Sequence, residues 1–214
     1  MPGTDPDAVE SATGTGGESG PTDSRERIMR ATYCALCRHG YASLTTQDIA
    51  DESDLSKAAL HYHYESKAAL LEAFLEFLLD SFRERVDAVD ADGPRERVLA
   101  VVELLFSPPG GDRDAEFRTA MLELKAQAPY APALRERLAE FDRYLRTELT
   151  EALVAAADAG SLRADVDPET AAEFVVTAAS GAHTRRVSLD RETTAAEEAV
   201  RAYVEDLFVG EAAA

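Results

Sequence analysis

The sequence predicts an all-α protein, a small three-helix head followed by a larger six-helix domain. Three observations predict it. Apolar residues recur at helical spacing, with no run that alternates as a half-buried strand does. Gly, Pro, Ser, Thr and Asp punctuate the 214 residues at intervals of one helix length. Between Thr45 and Tyr64 two short helical patterns meet at a tight turn.

Residues 1–23 are acidic and rich in Gly, Ser and Thr, and the pattern predicts a disordered tail. They lack the basic start and apolar stretch of a signal peptide, and no run of apolar residues is long enough to cross a membrane. Both features predict a cytoplasmic protein. The first helix is expected from about Ser24 to His39, with Ile28, Ala31, Ala35 and Leu36 inward and Gly40 as its stop. Thr45 caps a second helix, Thr46 to Ser53, whose inner contacts are Ile49 and Ala50. Asp54 breaks that pattern and Leu55 plugs the corner. Ser56 then caps a third helix, Lys57 to His63, in which Ala58, Ala59 and Leu60 permit close approach.

Ser66 caps a long fourth helix, expected from Lys67 to about Val89. Its apolar positions, from Leu70 to Phe82, cover more than one face, so it must touch both the head and something behind it. Gly93-Pro94 restarts the chain for a fifth helix ending at Phe106, and the run from Ser107 to Asp114 is a loop. A sixth helix is expected from Ala115 to Gln127 and a seventh from Ala133 to Ala159, closed by Gly160. Asp167-Pro168 opens an eighth, running to about Arg186, and Thr194 opens a ninth, ending near Phe208.

Short helices set at a steep angle by a three- to four-residue turn make a helix-turn-helix, whose second helix can enter the DNA major groove. Here that helix carries Lys57, His61, Tyr62 and His63, which offer hydrogen bonds and an aromatic face. The run from Arg27 to Leu71 resembles the DNA-binding domain of TetR-type transcriptional regulators. The resemblance rests on Ile28, Ala31, Leu36, Gly40, Tyr41, Thr45, Asp48, Ile49, Ala50, Ser56, Leu60, Tyr62, His63, Tyr64, Ser66, Lys67, Leu70 and Leu71. Two positions depart from it: Asp54 stands where the family usually has Gly, and His61 where it usually has Tyr.

The resemblance implies residues 24–71 as the DNA-binding domain and 72–214 as a regulatory and dimerisation domain. It implies a dimeric repressor on an inverted-repeat operator in double-stranded DNA, released by a small-molecule effector. The DNA-facing residues would be Thr45, Thr46, Gln47, Lys57, Ala58, Ala59, His61, Tyr62, His63 and Lys67. Thr46 and Lys67 are suited to phosphates, and Gln47 and Lys57 to bases. The effector would lie among Phe106, Phe117, Met121, Tyr130, Phe141, Tyr144, Phe174 and His183. Each of these is equally a core residue at helical spacing, so the pattern does not separate wall from core. The dimer would form through the last two helices. The eighth presents small residues from Ala171 to Ala182, with Phe174 among them, and the ninth an apolar stripe of Ala196, Val200, Tyr203, Val204, Leu207 and Phe208. These faces could instead close the core of a single chain.

The formal net charge of −19 runs against binding a polyanion. Its distribution resolves much of the conflict, because residues 24–71 carry six basic and six acidic side chains and are neutral. The excess of acid lies in the tail and from residue 72 onward. Only Lys57, Lys67 and Lys125 are lysines among 22 basic residues, a usage that resembles salt-in halophiles. A uniformly acidic interaction module that mimics DNA is the rival reading, and the neutral head argues against it. Cys34 and Cys37 have CxxC spacing, but one helix face already explains it and no second ligand pair follows. No metal, cofactor or catalytic set is expected, and the chain does not read as an enzyme.

Overall fold

The computed structural model describes residues 21–53, 55–107 and 114–209. The predicted tail lies outside them except for its last three residues, which open the first helix. Asp54 and most of the loop after Ser107 also lie outside. Among the described residues the chain is all-α, in nine helices. They are α1 (Pro21–Ser43), α2 (Thr46–Ser53), α3 (Lys57–His63), α4 (Lys67–Asp87), α5 (Pro94–Phe106), α6 (Asp114–Gln127), α7 (Pro132–Asp158), α8 (Pro168–Leu189) and α9 (Thr194–Asp206).

Local chemistry sets these boundaries. α1 is broken at Gly40, whose φ of 68° and ψ of 168° leave the helical region. That conformation is essentially restricted to glycine. The Thr45 hydroxyl accepts the Asp48 N–H at 3.2 Å and donates to the Asp48 carboxylate at 2.7 Å, while the Thr45 N–H reaches the same carboxylate. This reciprocal cap opens α2. Ser56, Ser66 and Asp167 each accept the N–H three residues on, opening α3, α4 and α8. α8 runs three residues beyond the expected Arg186. It closes on Asp190, which takes the left-handed conformation a glycine usually supplies and pairs with Arg186 at 2.8 Å.

Two cores share α4. Its first half gives Leu70, Leu71 and Phe74 to the head, where they meet Ile28, Leu36, Ile49 and Leu60. Its second half gives Phe82 and Val86 to a core built with α5, α7, α8 and α9. The head is not closed by its own helices. α6 packs along α1 and buries Phe117, Ala120 and Leu124 in the head's core, with the Phe117 ring 4.9 Å from that of Tyr33. Just past the Gly40 break, the Tyr41 N–H donates to the Glu123 carboxylate of α6 at 2.7 Å.

The last helices use most of the residues of their small and apolar stripes internally. Ala171, Ala172, Val175, Ala179 and Ala182 of α8 are buried within the single chain, as are Val200, Val204, Leu207 and Phe208. An i, i+3, i+4 stripe of small residues is what α8 needs to pack on α7, so the stripe closes the monomer's core. The outer face is different. It carries Phe174 and Gly181, with Phe174 48% exposed and its ring 4.4 Å from that of Tyr203. After α9 the chain pairs back on the turn that follows α7, through Arg163 N–H to Leu207 O and Val209 N–H to Ser161 O.

Candidate nucleic-acid interface and inner cavity

On α3 only Leu60 is buried, which turns the rest of the helix outward. Lys57, Ala58, His61, Tyr62 and His63 are exposed and Ala59 is half-buried. Tyr62, at 88% exposure, is the most exposed of the large hydrophobic side chains in the described residues. The head's arginines are committed elsewhere: Arg25 to Glu76, Arg27 to the Ser53 carbonyl, Arg30 to Glu26 and Arg38 to Glu52. Lys57 has no ion pair among the described residues.

The neighbouring candidates are partly engaged within the head. Thr45 serves the cap of α2, Thr46 is half-buried, and Gln47 donates to Asp51 at 2.7 Å. Lys67 donates to the Tyr41 carbonyl at 2.9 Å and sits over the Tyr41 ring. Burial pushes its amine below the usual lysine value, against the pull of Asp48. An ammonium has three N–H donors, so Lys67 can hold α1 and still reach a phosphate.

Behind the head, α4 to α8 enclose a cavity of about 480 Å³. Of the eight effector candidates, Phe117, Met121, Phe141 and His183 line it. The other four do not. Phe106 is buried in the core with its ring against His183, and Tyr130 is 84% exposed in the turn before α7. Tyr144 packs edge-on to Phe82, its hydroxyl pushed up to about 12 by burial and by Glu148. Phe174 stands on the outer face of α8. Helical spacing makes all eight look alike; only the packing of α7 and α8 sorts them.

His183 is held from both sides. Its Nε2 lies 2.8 Å from the Leu105 carbonyl, so Nε2 carries the proton, and Nδ1 accepts from the Arg118 guanidinium. The Arg118 side chain also donates to the Phe106 carbonyl at 3.2 Å. Sequence reasoning sought aromatics and so passed over the cavity's charged wall of Arg85, Arg118, Lys125, Arg137 and Asp142. One signal was available, since Lys125 is the only lysine beyond the head. Neither cysteine is in a disulfide, and no cluster able to hold a metal occurs among the described residues.

The signature of bacterial regulatory proteins of the tetR family matches residues 28–74, and that of the C-terminal domain of BetI-type transcriptional repressors matches residues 94–209. The chain belongs to the TetR family of transcriptional regulators. Proteins of this family bind DNA and are not enzymes. A TetR transcription regulator from Haloarcula marismortui has a similar structure, with a TM-score of 0.81 and 36% identity over 88% of this chain and all of that one. The regulator BetI of Agrobacterium fabrum is 31% identical over 131 residues, which span 60% of this chain but only 63% of that protein's length. A regulator from Saccharomonospora viridis solved in complex with choline shares the fold, with a TM-score of 0.75 at 21% identity over 89% of this chain and all of that one. No described helix of this chain is long and apolar enough to cross a membrane.

Proposed function

We propose that this TetR-family regulator is a cytoplasmic, ligand-responsive dimeric repressor, in which residues 24–71 read DNA and residues 72–214 bind an effector and dimerise. The observation that carries this is the outward face of α3, where a lysine with no ion pair among the described residues, two imidazoles and an exposed tyrosine stand on a helix anchored by Leu60 alone. A large aromatic side chain is left in water where a partner can cover it. Lys57 and Gln47 read base edges, with His61, Tyr62 and His63 beside them, while Thr46 and Lys67 hold phosphates. The acidic interaction module is not favoured, because the family is one of DNA-binding regulators.

A second copy would seat against the outer face of α8 and α9 around Phe174, Gly181 and Tyr203, placing two heads on an inverted repeat. The effector would occupy the inner cavity. Its apolar walls, with charged and polar side chains set among them, suit a small molecule, and it touches α6, which also forms part of the head's core. A ligand that prefers one α6 position then shifts the heads' spacing, because only differential binding moves such an equilibrium.

Binding to the DNA upstream of its own gene, in molar KCl, tests the reading. Lys57→Ala and Tyr62→Ala should each weaken sequence-specific binding by about 1–3 kcal/mol, roughly 5- to 150-fold, with unchanged melting temperature. Variants that bind as the parent does would sink the assignment of α3.

A further inference from the structure

The cavity's charge points to a class of effector. Resting on the reading of the cavity as the effector site, we propose that the ligand is an amphipathic organic anion, a carboxylate on an apolar body, held by Lys125. The wall carries Arg85, Arg118, Lys125 and Arg137 against a single carboxylate, Asp142. That balance is the reverse of the chain as a whole, where 41 acidic residues face 22 basic ones.

Most of these charges already have work to do. Asp142 is held by Arg146 at 3.1 Å, Arg137 pairs with Glu140 at 3.0 Å, and Arg85 donates to the Ser107 carbonyl. The Lys125 amine has no hydrogen bond or ion pair among the described residues. It keeps an exposed surface at the cavity wall, yet desolvation lowers its affinity for protons, against the more distant pull of Asp142. Bringing a carboxylate to such an amine gives both charges a partner beside the apolar wall. The residue type adds to this. In a chain that otherwise uses arginine beyond the head, a lone lysine stands at the cavity.

The same geometry disfavours a quaternary ammonium, the kind of group carried by the choline bound in the Saccharomonospora viridis regulator. Such a cation needs open aromatic faces or nearby carboxylates. Here the Phe82 ring lies under the Arg85 guanidinium and edge-on to Phe141, and Phe117 is tilted against Tyr33. The rings are apolar wall, and the cationic side chains between them would repel a second cation.

The test is calorimetric titration of the full chain in molar KCl with octanoate, octan-1-ol, octyltrimethylammonium and choline, alongside binding to its upstream DNA. Octanoate should bind at least about tenfold more tightly than the other three. Lys125→Met should erase that preference while leaving octanol binding unchanged, and Lys125→Arg should retain it. A thermal melt establishes that both variants fold. The proposal is overturned if octyltrimethylammonium or choline binds as tightly as octanoate, if no probe binds, or if Lys125→Met keeps the preference. If octanoate binds with the expected preference but leaves the DNA complex intact, the anion site stands and its role as an effector site falls. If the cationic probe alone releases DNA, the effector reading stands and the anion falls.

Discussion

On α3, Lys57, His61, Tyr62 and His63 stand on one seven-residue helix and face outward. Around the cavity, Arg85, Lys125 and Arg137 come from α4, α6 and α7 and surround a space of about 480 Å³. Both are places where an acidic chain withholds its acid, but they are built by different means. The first needs only local order: caps at Ser56 and Ser66 and one buried leucine. The second exists only when five helices, α4 to α8, are in register. A surface of the first kind survives small shifts of the fold, whereas a cavity of the second kind changes shape with them. That difference suits the proposed division into a fixed reading head and a responsive interior, and α6 is the element that belongs to both.

The largest effect should come from breaking that shared element. Leu124 is fully buried, and although it lies on α6 its side chain belongs to the head's core. Leu124→Ala should destabilise the protein by about 2–5 kcal/mol, through lost burial and the void left behind. Urea unfolding in molar KCl should show one transition moving to lower denaturant, by circular dichroism and tyrosine fluorescence alike. Two transitions, of which only one moves, would mean that head and interior fold separately and that α6 does not join them.

The head was the more legible region. Thr45, Ser56 and Ser66 announce three helix starts in the sequence, and each makes its expected capping bond because the contact lies three residues away. Gly40 announces a stop, and its backbone conformation requires one. Asp190 gave no such signal, because an Asp in the left-handed conformation looks like any polar residue at a helix end. The interior was legible as helices but not as a site. Phe117 and Phe141 reach the cavity while Tyr144 and Phe174 do not, and all four fit a helical stripe equally well. The small residues of α8 posed the same problem, since a stripe that can approach a neighbour closely does not say whether that neighbour is α7 or a second chain. Nor did any pattern announce the bond from Tyr41 to Glu123, which joins residues 82 apart.

That bond offers a finer probe. A Cβ on Gly40 would lie 2.9 Å from a Glu123 carboxylate oxygen, in a backbone conformation that only glycine adopts readily. Gly40→Ala should therefore lower stability by about 1–3 kcal/mol. In the double variant with Glu123→Ala the steric part disappears and the backbone strain remains, so the two losses should not add. Full additivity would place Glu123 away from Gly40 and remove the bond as a link between head and interior.

The smallest effect concerns the cap of α2 and stays within the head. Thr45→Ala should reduce stability by about 0.5–2 kcal/mol, as losing an N-cap hydroxyl does, and Thr45→Ser should restore most of it. The variant also has a pH signature. The Thr45 hydroxyl, and after it the Thr45 N–H, hold the Asp48 carboxyl below its ordinary value of 3.8. A carboxyl lowered by folding contributes stability that is present in full above that ordinary value and is lost as pH falls through the lower folded one. Melting temperature followed from neutral pH downward should thus fall less steeply in the acid range for Thr45→Ala than for the parent, with the two curves parallel near neutrality. Because the cap lies at the surface of the head, cavity ligands should leave this difference unchanged. If octanoate altered the acid limb of the parent but not of the variant, the cap of α2 would be part of the path between cavity and DNA, and the head would be less rigid than its local bonds imply.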